Sequence, residues 1–265
     1  MPSIVETARW AAAQRARESE RPERLFLDPL AGILAGEEGR SALQLSERYN
    51  PRHEDTANYI SIRIRFFDDI AQDSAAQGIR QVVLPAAGMD ARAYRLSWPV
   101  GTTFYELDHP ELLALKQTIL EQQSLAPKCR HVTIGTDLKE DWAHLVVDSG
   151  FQSKERSIWL IEALFYYLEE PAVHHILEEV SALAVPGSVL ATDLVSQSML
   201  TSPWTQQFLK AMEEQGFGWR FGSDDPAALF AKHGWEADVK QPGEEGARYN
   251  PQRFPNKPGP SWSFS

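Results

Sequence analysis

Residues 81–110 read QVVLPAAGMDARAYRLSWPVGTTFYELDHP, and this stretch decides the fold class of the chain. It contains two short apolar runs, of which the first ends in a turn at Gly88 and the second ends at Asp108. Short apolar runs that end in glycine or in an acid are typical of buried parallel strands. The stretch therefore predicts two strands of an α/β sheet.

The same alternation continues along the chain. Three more apolar runs also end in an acid, and they are 131–137, 157–162 and 188–193, which close on Asp137, Glu162 and Asp193. Helical segments such as 110–123 and 171–184 separate the runs. Alternating strands and helices predict a mostly parallel sheet with right-handed crossovers and helices on both faces. Because ligands bind outside the carboxyl ends of such strands, successive acids at those ends predict a binding edge.

The segments that flank this core are mainly helical. Residues 5–20 are rich in helix formers, and residues 55–76 carry apolar side chains at helical spacing. On the other side of the core, residues 199–215 predict another helix. Two short stretches near the end of the chain, Trp235 to Val239 and Ser261 to Phe264, are candidate sixth and seventh strands.

The composition is that of an ordinary globular protein, with 43% hydrophobic and 24% charged residues. A net charge of −11 argues against nonspecific binding to nucleic acid or to anionic membranes. The single cysteine, Cys129, excludes an intrachain disulfide and a multi-cysteine zinc site. No apolar run approaches the ~20 residues that span a bilayer, and the N-terminus lacks a secretory signal. We therefore expect a cytoplasmic protein that holds no metal.

The spacing within residues 81–110 also suggests a ligand. Gly88 and Asp108 stand at the distance at which an acid on the second strand meets the ribose of a nucleotide. The turn has one glycine where dinucleotide sites use three, and Asp90 would repel a pyrophosphate, so NAD is disfavoured. S-adenosylmethionine suits an acidic edge better, because it is a phosphate-free nucleoside that carries positive charge. The charge pattern ranks it first.

Motifs spread over nearly the whole chain resemble the leucine carboxyl methyltransferase-like family of S-adenosylmethionine-dependent methyltransferases. The resemblance is strongest to its bacterial-type branch of small-molecule O-methyltransferases. The motifs are TARW at 7–10 with LFLDPLA at 25–31, RIRFFDD at 63–69, LPAAGMDARAYRL at 84–96, YELDHP at 105–110 with Lys116, Asp137-Leu138 with Trp142, and EALFYYL at 162–168. Ile64 stands in place of the family's threonine, and Pro85 and Ala86 stand where Leu or Gly and Gly are usual.

The resemblance implies a Rossmann-like class I methyltransferase with a seven-stranded sheet, an antiparallel last strand and an N-terminal helical cap. It implies one domain, with the cap over about 1–78, a cofactor-binding core over 79–198, and an acceptor-side helix with the last strands over 199–265. It also implies cofactor contacts: Arg63 to the methionyl carboxylate, Ala87 and Gly88 under the methionyl or ribose portion, Asp108 to the ribose hydroxyls, Asp137 to the adenine amino group, Leu138 against the adenine ring, and Glu162 facing the amino group or the sulfonium. Either Arg15 or Arg17 would reach the cofactor as well.

The acceptor side is less determined by the sequence. Tyr166, Tyr167 and Trp204 are candidates to line the acceptor pocket, although core packing is an equal alternative for the two tyrosines. His174 and His175 are adjacent in a predicted helix and point in different directions, so they predict no shared metal site. No catalytic residue is identified, and the oligomeric state stays open.

The expected function is methyl transfer to a carboxylate or hydroxyl of a small molecule, such as a polyketide-like product of secondary metabolism. A protein C-terminal carboxyl methyltransferase and a non-catalytic cofactor-binding module remain as alternatives.

Overall fold

The computed structural model describes residues 4–49, 53–203, 205–214, 218–254 and 262–264. The helices are α1 (Ile4–Glu20), α2 (Ala31–Tyr49), α3 (His53–Ala76), α4 (Arg92–Arg95), α5 (Pro110–Gln122), α6 (Ala143–Asp148), α7 (Glu170–Leu183), α8 (Gln197–Thr201), α9 (Gln206–Glu214), α10 (Pro226–Ala231) and α11 (Pro242–Tyr249). The strands are β1 (Gln81–Pro85), β2 (Thr103–Asp108), β3 (Arg130–Gly135), β4 (Ser157–Ile161), β5 (Val189–Val195) and β6 (Trp262–Phe264). A single 3₁₀ turn, Phe165–Tyr167, follows β4. No helix among these residues is long and apolar enough to cross a membrane.

The strands form one sheet in the order β3-β2-β1-β4-β5-β6. Strands β1 to β5 pair in parallel, as the apolar runs predict, and β6 pairs antiparallel with β5. From β1 the chain adds β2 and β3 on one side, and β4 and β5 lie on the other. The carboxyl ends of β1 and β4 therefore flank the point where the strand order reverses, which is where ligands bind in open α/β sheets.

The prediction of seven strands is wrong for the described residues, which contain six. Trp235 to Val239 form no strand. Instead, Trp235 packs against the apolar cluster that includes residues of α7, and its indole N–H donates to Ser181 Oγ on α7 at 2.9 Å. The free edge of β5 that such a strand would need is occupied by β6.

The helix predicted over 199–215 is also divided, because α8 ends at Thr201 and α9 begins at Gln206. Pro203 lies between them, and proline restricts the preceding residue to an extended conformation, so it favours a break there.

Two apolar layers cover the sheet, which confirms helices on both faces. On one face, Val82 and Leu84 of β1 belong to a core with residues of α1 to α5. On the other face, Val83 lies in a core with residues of α6, α7 and α10. All residues of β1, β2 and β4 are buried, whereas β3 at the edge is largely open. Burial on both faces explains why the central strands are almost continuously apolar in sequence.

The first helix lies beside the turn after β1 and is bonded to the segment that follows the last helix. In α1, Ala8 passes so close to the turn after β1 that a Cβ built on Gly88 would lie 3.5 Å from its methyl group. Helix α11 packs on α3, where Gly246 leaves room for Ile62. Just beyond α11, Arg253 donates two hydrogen bonds to the buried Glu18 of α1, at 2.8 and 2.6 Å. Residues far apart in sequence thus hold α1 in place.

Candidate ligand site at the carboxyl ends of the strands

The turn after β1 brings two sequence-predicted residues into contact. Gly88 has a positive φ of 51°, and its N–H donates to Asp108 Oδ2 at 2.7 Å. The preceding N–H, of Ala87, donates to the carbonyl of Leu107 at 3.1 Å. The spacing of 20 residues therefore places the turn directly against the end of β2, as the sequence predicts. Ala86, which replaces the usual glycine, also has a positive φ, of 57°, a conformation that costs an alanine about 1 kcal/mol.

Asp108 is a buried carboxylate that only backbone groups contact. Its side chain accepts from Gly88 N–H on Oδ2 and from His109 N–H at 2.8 Å on Oδ1, and no described Lys or Arg forms an ion pair with it. Burial raises the pKa of Asp108, and the two backbone donors offset only part of this effect. Because a carboxylate has about four acceptor positions, each oxygen keeps capacity for one more donor. The group suits a ligand that presents two hydroxyls.

Glu162, at the end of β4, lies in a different environment. Its Oε1 accepts from Arg63 Nε at 3.1 Å, and its Oε2 accepts from Arg92 Nη2 at 2.8 Å. Burial acts to raise the pKa of Glu162, but Arg92 and Arg63 outweigh it and hold the pKa below its usual value. The acid at this strand end is therefore neutralised by two guanidinium groups, which the sequence did not indicate.

Arg63 is brought to the site by α3 and is buried there. Besides Glu162, its Nη1 donates to Asp193 Oδ2 at 3.1 Å and to Tyr166 Oη at 3.2 Å. Two of its three nitrogens, Nε and Nη1, are thus engaged by protein groups, and the guanidinium lies over the ring of Tyr59, 5.5 Å from the centroid. A ligand carboxylate can therefore reach one nitrogen of the guanidinium end-on, rather than the two-nitrogen fork that the sequence suggests.

Asp193 occupies a position that sequence reasoning missed. It was expected to close β5, yet the strand continues to Val195 and Asp193 is fully buried within it. Tyr59 Oη donates to its Oδ2 at 3.0 Å, and Ala163 N–H donates to its Oδ1 at 2.6 Å. Burial raises the pKa of Asp193, and Arg63 opposes that effect. Asp193 thus holds Arg63 in place and is itself closed to a ligand.

A chain of buried ion pairs extends from Glu162 away from the sheet. Arg92 pairs with Asp90 at 2.6 Å and with Asp68 at 2.7 Å, and Asp68 also pairs with Arg95 at 2.6 Å. Burial alone would raise the pKa of Asp90, but Arg92 and other cations lower it to about 2. The available signal was Asp68, which falls on the apolar face of α3 four residues after Ile64 and is buried there.

The structure distinguishes the two N-terminal arginines. Arg15 pairs with Asp28 at 2.9 Å and also donates to the carbonyl of Met89, in the turn after β1. Arg17 instead bonds Glu47 and, at 2.6 Å, Gln14. Only Arg15 therefore reaches the candidate site.

Asp137 and Leu138 lie one strand further out. Gly135 is the register partner of Asp108, so Asp137 stands two residues beyond it, and its exposed side chain accepts from Lys139 N–H at 3.0 Å. Leu138 is half-buried against the apolar layer that α6, α7 and α10 form on one side of the sheet. Both residues border the edge next to Asp108.

The aromatic candidates lie beyond Glu162. Tyr166 is buried, and its ring centroid lies 4.6 Å from that of Tyr167 and 5.3 Å from that of Trp219, which sequence reasoning did not select. Trp204 lies outside the described residues. Next to Trp219 is an open groove of about 620 Å³. No cluster of metal-ligating side chains occurs in the described part of the chain.

Comparisons with known proteins agree with this geometry. The sequence profile of the leucine carboxyl methyltransferase family matches residues 8–181. A protein of Parafrankia named "Putative S-adenosyl-L-methionine-dependent methyltransferase" is 41% identical over 195 residues, which are 72% of this chain and 63% of that protein. A protein of the same description from Streptomyces avermitilis is 35% identical over 92% of this chain and 87% of its own. The crystal structure of a DUF574 family protein from Streptomyces avermitilis has the same fold, with a TM-score of 0.62 at 14% identity over 96% of this chain and 94% of that one.

Proposed function

Since this chain belongs to the leucine carboxyl methyltransferase family and is an S-adenosylmethionine-dependent methyltransferase, we propose that it methylates an oxygen atom of a small molecule. The acceptor atom belongs to a carboxylate or to a hydroxyl. The observation that carries the proposal is the buried Asp108 carboxylate at the sheet edge, which is held by backbone N–H groups, together with Arg63, which α3 brings to the same edge.

These two groups complement the two ends of S-adenosylmethionine. The free lone pairs of Asp108 would accept from the ribose hydroxyls above Gly88, whose backbone a ligand can approach because no side chain projects from it. Arg63 Nη2 would donate to the methionyl carboxylate. Asp137 and Leu138 would hold the adenine on the far side of Asp108.

Glu162 keeps acceptor capacity on both oxygens after pairing with Arg63 and Arg92, so it would still receive the methionyl amino group. The paired arginines change its contribution. Glu162 would orient the cationic end of the ligand through hydrogen bonds, while Asp108 supplies the uncompensated negative charge.

The protein's part in methyl transfer is mainly alignment and exclusion of water. When bound, S-adenosylmethionine supplies an electrophilic methyl group: the acceptor oxygen bonds to carbon while the C–S bond breaks, its electron pair stays on sulfur, and a hydroxyl acceptor releases its proton to water. Holding the two reactants in line replaces a bimolecular encounter by a positioned one. Helices α1 and α3, which reach the edge through Arg15 and Arg63, would shield it from water.

Calorimetry with S-adenosylhomocysteine, adenosine and NAD tests the donor half of the proposal. We expect roughly micromolar binding of S-adenosylhomocysteine and no binding of NAD. Arg63→Lys should weaken S-adenosylhomocysteine about tenfold or more and leave adenosine unchanged, because adenosine has no carboxylate. Arg65→Lys is the matched control, since Arg65 lies on the same helix and is partly exposed beside Asp69.

Two results would contradict the assignment. Equal loss of adenosine in Arg63→Lys would show that Arg63 does not act on the carboxylate. Binding of NAD in place of S-adenosylhomocysteine would refute the donor itself. Transfer of labelled methyl to a panel of small acids and alcohols, with a protein C-terminal peptide as competitor, tests the acceptor half.

A further inference from the structure

We propose that the acceptor is an uncharged molecule with an aromatic ring and a hydroxyl group, and that it binds in the groove beside Trp219. The proposal rests on the proposed function, because it names the acceptor of that same reaction. It decides between the hydroxyl and the carboxylate that the sequence leaves open.

The groove has the size and lining of a small-molecule site. Its volume of about 620 Å³ falls within the ~300–1,000 Å³ of ligand pockets. The apolar part of its wall consists of Leu200 of α8, Leu209 of α9 and the ring of Trp219. Three polar side chains complete the lining: Gln206, Lys210 and Glu213. A flat ring can stack on the indole of Trp219, which favours an aromatic ligand over a branched aliphatic one.

The groove neighbours the candidate site through Tyr166. The ring of Trp219 lies 5.3 Å from that of Tyr166, whose hydroxyl accepts from Arg63 at 3.2 Å. The backbone is joined as well, because Arg220 N–H donates to the carbonyl of Tyr166 at 2.7 Å. Tyr166 in turn follows Glu162 by one short turn. One aromatic ring, that of Tyr166, therefore stands between Trp219 and the guanidinium of Arg63 at the carboxyl end of β4.

Charge balance in the groove disfavours an anionic acceptor. At its outer end, Lys210 faces Glu214 at 3.9 Å, and Glu213 faces Arg220 at 3.7 Å. Beyond Tyr166, Arg63 is already paired with Glu162 and Asp193. An acceptor carboxylate would meet the acidic Glu213 in the groove wall and a lysine that already faces Glu214, whereas a hydroxyl is not subject to that repulsion.

A matched pair of probes tests this selectivity. We would measure binding of 1-naphthol and 1-naphthoate to the full-length protein by equilibrium dialysis, with the naphthyl fluorescence as readout and with S-adenosylhomocysteine present. Both probes contain the naphthyl ring, and they differ because one carries a hydroxyl and the other a carboxylate. We expect naphthol to bind at least about tenfold more tightly, which corresponds to about 1.4 kcal/mol.

Three variants locate the binding and its cause. Leu209→Glu places a charge in the groove wall and should weaken naphthol about tenfold or more. Leu45→Glu is its control, because Leu45 is an exposed helical leucine of α2. Glu214→Gln removes the partner of Lys210 and should strengthen naphthoate about twofold while leaving naphthol unchanged.

The outcomes separate this proposal from the proposed function. Equal or tighter binding of naphthoate, unchanged naphthol binding in Leu209→Glu, or no binding of either probe at about 1 mM would each overturn it. Failure of S-adenosylhomocysteine to bind would instead contradict the proposed function. Naphthol binding would then be measured without S-adenosylhomocysteine, and that affinity would show whether the groove binds the probe.

Discussion

The two sides of the strand-order reversal carry acids that look alike in sequence and behave differently in the structure. On the β1–β2 side, Asp108 is held by backbone N–H groups and keeps its charge unpaired. On the β4–β5 side, Glu162 and Asp193 are both paired with Arg63, and Glu162 also with Arg92. An acid at a strand end is therefore an open ligand group only where no helix brings a cation to it.

The helices account for the difference. Helix α3 contacts β4 and β5 and delivers Arg63 to their ends, while α4 begins with Arg92. The end of β2 faces the backbone of the turn after β1 instead, and backbone N–H groups satisfy part of a carboxylate without cancelling its charge. The edge thus has an open half at Asp108 and a paired half at Glu162.

The largest expected effect comes from breaking the paired half. Arg92→Met leaves three buried carboxylates without this partner, so the free energy of unfolding should fall by about 3–5 kcal/mol. Urea denaturation followed by circular dichroism would measure it. Arg248→Met, at a side chain that is 61% exposed, is the control and should change stability by less than about 0.5 kcal/mol. A loss below about 1 kcal/mol for Arg92→Met would mean that the ion pairs are not the support we describe.

Breaking the open half should affect the ligand more than the fold. Asp108→Asn keeps one acceptor oxygen for Gly88 N–H or His109 N–H and turns its NH2 group toward the other donor, so stability should fall by about 1–3 kcal/mol. Affinity for S-adenosylhomocysteine should fall about 10- to 100-fold, because two charge-assisted hydrogen bonds become neutral ones. Glu162→Gln, compared in the same calorimetric and denaturation experiments, should lose more stability than Asp108→Asn. The comparison between the halves fails if the two variants behave alike.

Low pH should destabilise the paired half through the protonation of Asp90. The pKa of Asp90 is about 2 against an ordinary 3.8, so its contribution to stability is present above pH 4 and is lost as the pH falls toward 2. That loss amounts to about 1 kcal/mol between pH 6 and pH 3. Urea titrations at the two pH values should show a drop for the wild type that is smaller by this amount in Asp90→Asn. An equal drop in both proteins would remove Asp90 as a cause.

The smallest expected effect tests what the two halves share. Ala86 and Ala163, one on each side, both have φ of 57°, a conformation that glycine adopts freely. Ala86→Gly and Ala163→Gly should each raise the free energy of unfolding by about 0.5–1 kcal/mol, measured by thermal or urea unfolding. Ala172→Gly, within α7, should lower it by about 1 kcal/mol and serves as the control. Destabilisation by glycine at position 86 or 163 would contradict the proposed backbone strain.

Local patterns predict the central sheet well and its borders less well. Strands β1, β2 and β4 are recognisable because burial on both faces makes them largely apolar, and a glycine or an acid lies at or just after the ends of β1 to β4. Trp235 to Val239 alternate apolar and acidic residues, as a half-exposed strand would, yet they form no strand: Trp235 bonds to α7, and residues 262–264 occupy the edge of β5. Which segment pairs with the edge strand of a sheet depends on distant parts of the chain.

The site divides in the same way. The contact between Gly88 and Asp108 follows from a fixed spacing within one β-α-β unit, so the sequence alone predicts it. The contact between Arg63 and Asp193 joins residues 130 positions apart, and no local pattern marks it. The sequence therefore identifies which acids lie at the edge, whereas the packing of helices decides which of them stay available.

The bond between Glu18 and Arg253 also bears on the order in which the molecule is made. Glu18 is almost fully buried, and Arg253, which donates two hydrogen bonds to it, lies 235 residues later in the chain. At about 5–20 residues per second, a ribosome needs at least ten seconds or so to add that stretch. During that time the Glu18 carboxylate of the first helix lacks its Arg253 partner. This ion pair can therefore form only after β1 to β5 have been translated, later than those of Arg15 with Asp28 and of Arg17 with Glu47.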